Sequence, residues 1–230
     1  MDEHSPQQPV LSVFLASSIH DMKNSVNMLT GSLEEILQEL TPESFQAYPR
    51  IAHMLFEVKR VNSNLTQLLT LYKVNDQMYP FSPHTCSIEQ FALEVLSQNS
   101  ALLSSKGVSI DVDHPDDLAW HFDEDLISGV INHALNNAIR YSRGRIRLAF
   151  AERDGWLEIR VEDDGDGFPL VMLNEPDHMN GVNFATGSTG LGLYFSKEVV
   201  KMHKHRGRHG TIHLENGGAW GGGCVILRLP

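Results

Sequence analysis

A histidine with polar neighbours near the start of the chain, His20, could act as a nucleophile. Ile19 and Met22 belong to an apolar helical pattern and are predicted to point inward, which lifts His20 toward solvent. The neighbouring Asp21 can accept the Nδ1 proton of the ring, leaving Nε2 to attack an electrophilic phosphorus atom, and Asn24 shares the same helix face one turn later. Taken alone, such a histidine is far more often a solvated surface side chain.

Two glycine-rich turns in the second half of the chain could shape a nucleotide pocket. In residues 163–167 (DDGDG), Asp163 can accept a hydrogen bond from an exocyclic amine, while Gly165 and Gly167 let the backbone approach a flat ligand. Residues 187–193 (GSTGLGL) lead directly into a predicted helix, whose free amides and positive end suit a phosphate group. This spacing is not that of a P-loop, and each turn alone could be purely structural.

A polar face interrupts the apolar helix that is predicted after Asp123. His133, Asn137 and the Arg140–Tyr141 pair follow one another at spacings of three or four residues, so they share one side of this helix. Since the rest of the helix is apolar, this polar face needs a polar partner. That partner is either a ligand or, for a core asparagine, the protein backbone.

Two different kinds of structure must position these residues, and the first is a pair of long helices. Apolar residues recur at alternating spacings of three and four over residues 15–40 and again over 51–72, with a helix stop at Thr41-Pro42. After a frayed start at 1–9, we therefore predict an all-α helical hairpin over residues 10–77. Because two helices alone bury only one face each, we also predict a homodimer whose helices form a four-helix bundle.

The second kind of structure, over residues 78–230, mixes helices and strands. Helices are predicted over 88–103, from 124 onward after a cap at Asp123, and over 189–204, with a turn-rich loop at 168–187. Strands are predicted at 108–112, 118–122, 146–150, 157–161, 211–214 and 225–229. This pattern predicts an α+β two-layer sandwich.

The overall composition narrows the class of protein. The 230 residues are 41% hydrophobic and 20% charged, which excludes disorder over the whole length. The net charge of −11 disfavours nucleic acid and anionic membranes as partners. The sequence lacks a signal peptide and an apolar run long enough to span a bilayer, and its two cysteines cannot build a disulfide framework, so we expect a cytoplasmic protein.

In their order along the chain, the polar helix face and the two glycine turns resemble the asparagine box and glycine boxes of the Bergerat-type ATP-binding domain. Gyrase and sensor histidine kinases share this domain, and residues 216–223 resemble its last glycine-rich turn. The resemblance implies that Asn137 binds a Mg²⁺ ion bridging the ATP phosphates and that Asp163 accepts the adenine amine. The other ATP-site positions that it implies are His133, Arg140, Tyr141, Gly165, Gly167, Gly187, Thr189, Gly190, Leu191 and Gly192.

The segment around His20 resembles the phosphoacceptor box of histidine kinases, and the hairpin resembles their dimerisation and phosphotransfer domain. Nearly the whole chain is thus similar to a sensor histidine kinase catalytic core. This resemblance implies that His20 is autophosphorylated, with Asp21 as its general base, and that the phosphoryl group passes to an aspartate of a response regulator receiver domain. Asn24 would orient water if the protein also dephosphorylates that partner, and the signal would arrive from an upstream sensor protein.

The sequence departs from that family at several positions. His133 stands where most members have an asparagine, Ser25 replaces a frequent proline, and no phenylalanine-rich box is recognisable, although Phe168 and Phe184 are candidates for it. Two other functions therefore stay open. One is a phosphotransfer or regulator-docking scaffold whose ATP site is degraded, and the other is a plain ATPase switch.

A run of histidines near the C-terminus, His203, His205 and His209, has the residue type of a metal site. The basic residues between them, such as Lys204 and Arg208, disfavour a bound cation. We therefore interpret the run as a basic helix end, which the helix dipole favours.

Overall fold

The computed structural model describes residues 8–39, 48–174 and 190–230, and the chain divides into two compact units. The first unit ends at Tyr79 and the second begins at Pro80. Tyr79 precedes a proline, and a residue in that position rarely adopts a helical backbone conformation. The boundary between the units therefore lies where a helix cannot continue.

The first unit is a helical hairpin, as predicted. Helix α1 spans Gln8–Glu39 and helix α2 spans Tyr48–Asn75, and the two pack against each other. Between them, Asn62 donates a hydrogen bond to Asn27 over 2.8 Å. The buried side chains of the hairpin include Ile19, Leu55, Phe56, Gln67 and Leu71. The predicted stop at Thr41-Pro42 lies outside the described residues.

Each helix of this hairpin leaves a row of large apolar side chains uncovered. They form two rows with a spacing of seven residues, Met22, Leu29 and Ile36 on α1 and Met54, Val61 and Leu68 on α2. The expectation that Met22 points inward together with Ile19 is wrong for the single chain, because Ile19 is 7% exposed and Met22 is 48% exposed. Two helices can cover only one side of each apolar seam, and Met22 lies on the other side.

The second unit is an α+β two-layer sandwich, again as predicted. Its five-stranded sheet has the strand order β2-β4-β5-β9-β8, in which the β2–β4 pair is parallel and the others are antiparallel. The strands of this sheet are β2 (Ser109–Asp113), β4 (Arg145–Arg153), β5 (Trp156–Asp163), β8 (Thr211–Asn216) and β9 (Gly223–Leu229). The helices are α3 (Ile88–Lys106), α4 (Glu124–Tyr141), the short α5 (Leu170–Asn174) and α6 (Leu191–Met202).

The hydrophobic core lies between the sheet and its helices. Alternate side chains on the strands point to one face, and on β5 these are Leu157, Ile159 and Val161, all buried. The apolar side of α4 packs against this face, with Val130 and Ile131 fully buried. Burial of side chains of this size contributes about 2 kcal/mol each.

The opposite face of the sheet carries a ladder of ion pairs. Arg160 pairs with Glu162 and Glu158, Arg147 also pairs with Glu162, and Arg228 pairs with Glu158. Burial alone would raise the pKa of Glu162, but hydrogen bonds and charge from Arg160 and Arg147 hold that pKa below its usual value. The buried carboxylates are therefore ionised and compensated.

Three short strands were not predicted. Strand β1 (His84–Ser87) pairs with β3 (Ala119–Phe122), which was predicted at 118–122, and the other two, β6 (Lys204–His205) and β7 (Arg208–His209), pair with each other. Such short strands carry too few residues to show an alternating pattern. Helix α6 is also shorter than the predicted 189–204, because it starts only after Gly190, which adopts a left-handed conformation with φ of 63°.

The three C-terminal histidines do not form a metal-ligand group within the described part of the chain. His203 is buried at the end of α6, where its Nε2 accepts a hydrogen bond from the Asp123 backbone N–H over 3.0 Å. Its Nδ1–H donates to the Val199 carbonyl over 3.0 Å. His205 and His209 are exposed on β6 and β7.

Candidate nucleotide and phosphoacceptor sites

Helix α4 is the element that positions the polar face predicted from the sequence. Asp123 caps its start, because the Asp123 Oδ1 accepts a hydrogen bond from the Leu126 N–H over 3.1 Å. Glu124 and Asp125 add negative charge in the first turn, where it interacts favourably with the positive end of the helix dipole. The apolar side of the helix packs in the core, and His133 and Asn137 lie at partly buried positions on another side.

His133 and Asn137 contact each other and meet helix α6. The Asn137 Nδ2 lies 3.3 Å from the His133 Nε2, which places the ring proton on Nδ1 if the amide donates. A side-chain carbon at Gly192 would overlap the His133 ring, so only glycine fits beneath it. Burial lowers the pKa of His133 from 6.5 to about 4. The ring is therefore neutral at pH 7 and is a weak base.

The start of α6 can bind an anion. This helix has 12 residues, and its N-cap, Gly190, provides no side chain for the free backbone N–H groups of the first turn. Leu191 and Gly192 belong to that turn, so their amides and the positive helix end favour a phosphate. The predicted positions Gly187 and Thr189 lie outside the described residues.

Asp163 lies at the end of β5, where the first glycine turn begins. It is buried, and its Oδ1 accepts hydrogen bonds from the N–H groups of Gly165 over 2.8 Å and Gly223 over 3.1 Å. Within the described residues no hydrogen bond engages the other oxygen, Oδ2. That oxygen can accept a hydrogen bond from a ligand amine.

This turn requires glycines because other parts of the chain lie very close to its backbone. A side-chain carbon at Gly165 would overlap the carbonyl of Tyr141, the last residue of α4. At Gly167, a φ of +79° and the nearby Asn216 side chain both disfavour any other residue. The turn therefore lies directly against the end of α4.

Two residues that hold this turn were not singled out from the sequence. The Asp164 Oδ1 accepts hydrogen bonds from the backbone N–H groups of Arg143, Gly144 and Arg145, at 2.7 to 3.2 Å. The Asn216 side chain accepts from the Phe168 N–H and donates to the Phe168 carbonyl, at 2.7 and 2.9 Å. Aspartate and asparagine commonly bond to turn backbones, which is the signal that could have identified both.

Arg140 and Tyr141 are exposed at the end of α4. The Arg140 guanidinium lies 5.3 Å from the centre of the Tyr141 ring, so each supports the position of the other. Together, the contacts show that both glycine turns lie against α4, one at His133 and one at Tyr141. Asn137 lies between these two contacts on the same helix.

The predicted phosphoacceptor lies on the first unit. The His20 side chain is 63% exposed on α1, and its Nδ1 lies 3.3 Å from the Asn24 Nδ2 and 4.0 Å from the nearest Asp21 oxygen. Asn24 is thus within hydrogen-bond distance and Asp21 is not. Within the described residues no hydrogen bond engages Nε2, so this nitrogen is accessible to a reactant.

The family model for the histidine kinase-, DNA gyrase B-, and HSP90-like ATPase matches residues 122–230. The sensor protein kinase WalK of Staphylococcus aureus is 25% identical over 203 residues, which cover 84% of this chain and 48% of that protein. The match covers 33% of the length of the same kinase from strain Newman. Over most of its length the chain is similar to sensor histidine kinases. It spans a third to a half of the length of these curated relatives.

Solved structures of histidine kinases share the fold of this chain. The Acinetobacter baumannii histidine kinase AdeS superposes with a TM-score of 0.60 at 21% identity, covering 91% of this chain and 96% of that one. A full-length ShkA in complex with AMPPNP gives a TM-score of 0.62 at 18% identity, covering 94% of this chain and 45% of that one. No helix among the described residues is long and apolar enough to cross a membrane.

Proposed function

We propose that this protein is an ATP-dependent protein-histidine kinase that autophosphorylates His20. The observation that carries the proposal is an exposed imidazole on a helical hairpin in the same chain as an ATPase domain of the histidine kinase type. The similarity to WalK supports it, because it extends over 84% of the chain rather than over the ATPase domain alone. The phosphoryl group then passes to an aspartate on a response regulator receiver domain.

The proposed transfer uses the Nε2 lone pair of His20. This nitrogen attacks the γ-phosphorus in line, the bond from phosphorus to the bridging oxygen breaks, and ADP leaves with the electron pair. The attacking nitrogen must carry no proton, so the ring proton resides on Nδ1 in the reactive state, and the Asn24 amide then turns its oxygen, rather than its NH2 group, toward Nδ1. Asp21 serves as the base for that proton after a side-chain rotation that shortens its 4.0 Å separation from Nδ1.

The ATP site of the proposed kinase combines the two glycine turns with α4. The Asp163 Oδ2 accepts the adenine amine, Gly165 and Gly167 form the pocket wall, and the start of α6 from Gly190 to Gly192 receives phosphate. Arg140 and Tyr141 lie against phosphate or nucleoside, and His133 packs beside the phosphate end. Gly187 and Thr189 complete the lid in this proposal.

Asn137 fits the role of the magnesium ligand. Its Nδ2 faces His133, and within the described residues no hydrogen bond engages its side-chain oxygen, which is the kind of ligand that Mg²⁺ prefers. When bound, the ion would neutralise charge on the ATP phosphates. Asn24, beside His20, would orient a water if the protein also acts as a phosphatase on its regulator.

The assembly that we propose is a homodimer in the cytoplasm. The two uncovered apolar rows of the hairpin would meet their counterparts in a second copy and form a four-helix bundle. That bundle would present His20 to the response regulator, and an upstream sensor protein would supply the signal. ATP and receiver domains are both cytoplasmic partners.

A second candidate function is a phosphotransfer scaffold with a degraded ATP site. The observation that favours it is His133, a neutral ring that fills the space above Gly192 where most family members have an asparagine. Titration of the full chain with a fluorescent ATP analogue separates the two candidates. Saturable magnesium-dependent binding supports the kinase, and absence of binding supports the scaffold.

Incubation with γ-labelled ATP and Mg²⁺ tests the kinase proposal. We expect acid-labile label on the wild-type protein and none on His20→Ala or Asn137→Ala. The matched control is His53→Ala, since His53 is an exposed histidine on α2 of the same hairpin. Label that persists on His20→Ala would place the acceptor elsewhere, and phosphate release without any labelled protein would indicate an ATPase switch.

A further inference from the structure

A cluster of three different metal-binding side chains lies in the second unit, away from the proposed ATP site. His84 and Cys86 occupy alternate positions of β1, so both project from the same side of the strand. Glu124 begins α4, nine residues before His133, or about 13 Å along the helix axis. One ligand atom from each of the three side chains lies within 4.8 Å of the other two.

We propose that His84, Cys86 and Glu124 form a binding site for a zinc ion. The His84 Nε2 and the nearest Glu124 oxygen are 3.2 Å apart, which is close to the separation of two ligands on one tetrahedral metal ion. A thiolate, an imidazole and a carboxylate are together a donor set that suits zinc. The thiolate and carboxylate also supply two negative charges for a doubly charged cation.

The His84 ring is already oriented as a metal ligand. Its Nδ1 lies 3.3 Å from the Ser82 carbonyl oxygen, and since a carbonyl can only accept, Nδ1 carries a proton; any proton on Nε2, which faces the Glu124 carboxylate, would leave when a metal binds. The Nε2 then faces Glu124. A histidine that ligates a metal usually donates its other N–H to a carbonyl in this way, which fixes the ring.

The backbone that carries the cluster is fixed by hydrogen bonds. The Asp123 Oδ2 accepts a hydrogen bond from the Ser82 N–H over 3.0 Å, and the Asp123 N–H donates to the buried His203. The first bond joins the residue before the metal ligand Glu124 to the segment that precedes His84, and the second joins it to the end of α6. On this backbone the three ligand atoms lie within 4.8 Å of one another, and the Cys86 thiol would exchange its weak contacts with the His84 and Phe122 carbonyls for the ion.

The electrostatics of the cluster also favour a cation. The carboxylates of Glu124 and the neighbouring Asp123 bring negative charge to the cluster. Zinc binds cysteine as the thiolate, so Cys86 would release its proton to solvent on binding. Because the His84 side chain is 56% exposed, a water molecule can fill the fourth coordination position.

Cobalt(II) titration of the chelator-treated full chain tests this site, since Co²⁺ reports thiolate ligation by a charge-transfer absorption band. We expect a one-to-one band that Zn²⁺ displaces. Cys86→Ser should abolish it, while Cys224→Ser should keep it as the matched control for the second buried cysteine. His84→Ala should weaken binding at least tenfold, whereas His121→Ala, on the paired strand β3, should not.

Thermal unfolding provides a second readout that is independent of kinase activity. Zinc should raise the midpoint of the wild-type protein and of His121→Ala, but not that of His84→Ala or Glu124→Gln. Two results would overturn the proposal. One is the absence of a thiolate band from the wild-type protein, and the other is equal cobalt binding by wild type and His84→Ala, which would indicate unspecific binding to the other histidines of the chain.

Discussion

The surroundings of three histidines give them three different kinds of chemistry. His20 is exposed, with an accessible Nε2 that suits a nucleophile. His133 is desolvated and stays neutral, packed against Gly192. His203 is buried, and both of its ring nitrogens are engaged by backbone groups, so it serves the fold. Residue type alone does not separate these three, whereas exposure and hydrogen bonds do.

The low pKa of His133 predicts a loss of stability in mild acid. The folded pKa of about 4 lies below the ordinary 6.5, so the unfolded chain binds the extra proton first as pH falls. The neutral His133 ring therefore adds its full contribution to the free energy of unfolding above pH 6.5, and this contribution is lost as the pH falls from 6.5 to 4. Urea unfolding at pH 7.5 and 5 should show that wild type loses about 2 kcal/mol more than His133→Asn. Equal losses would contradict the assignment of His133 as a desolvated, neutral ring.

The hydrogen bonds of His203 predict that it stabilises the second unit. His203→Ala leaves the buried N–H of Asp123 without its acceptor, which should cost about 1–3 kcal/mol of the free energy of unfolding. The control is His205→Ala, because His205 is exposed and its removal should change stability by less than about 0.5 kcal/mol. Urea denaturation compares the two variants, and equal effects would refute this role.

Helix α4 organises the second unit because each of its sides meets a different neighbour. Its apolar side packs on the sheet, its start is capped by Asp123, and its polar side meets both glycine turns. Helix α6 meets α4 where Gly192 lies under His133. The proposed phosphate-binding end of α6 is therefore positioned by a contact between a glycine and an imidazole.

Gly192→Ala should disturb this helix contact. The added methyl overlaps the His133 ring, so we expect a loss of about 1–3 kcal/mol in stability and weaker nucleotide binding. The double variant His133→Ala, Gly192→Ala should recover part of the stability, because the smaller side chain makes room for the methyl. A double-mutant cycle from urea unfolding measures the coupling. Strictly additive costs would show that the two residues do not share this space.

The sequence predicted the elements with long periodic patterns. The two long helices that the apolar seams predicted and the alternating strands around Ile146 and Leu157 appear in the structure, because the buried side of a helix or strand repeats with the period of that element. The four-residue strand β1 was missed, since its burial depends on a partner from a distant part of the chain.

The candidate site was predictable only to the level of residue types. Spacing placed Asn137 and His133 on one side of a helix, and the glycine turns resembled a known pocket. The contacts that fix them could not be read from the sequence, because they join residues far apart in the chain, such as His133 with Gly192 and Asn216 with Phe168. Long-range packing of this kind leaves no local pattern.

The whole molecule joins a hairpin with two uncovered apolar rows to an ATPase domain. Single exposed apolar residues are common on protein surfaces, but six large ones repeating every seventh residue on two helices are the pattern of a helix–helix interface. This surface belongs to the unit that carries His20, so assembly and the proposed phosphotransfer would share one element.

Leu29→Glu should dissociate the proposed dimer, because it buries a carboxylate in the apolar interface. Sedimentation equilibrium should give twice the chain mass of 25.8 kDa for wild type and a single chain mass for the variant. Leu93→Glu is the control, since Leu93 is a similarly exposed leucine on α3 of the other unit. A monomeric wild-type protein would contradict the proposed bundle.

Phosphorus NMR of the full chain after incubation with Mg²⁺ and ATP tests the proposed kinase most directly, because it distinguishes the two phosphorylated nitrogens of histidine. The accessible Nε2 and the engaged Nδ1 of His20 predict a single Nε2-phosphohistidine signal, absent from His20→Ala and present in His53→Ala. A signal from Nδ1-phosphohistidine, or from any residue that survives the His20 substitution, would contradict it.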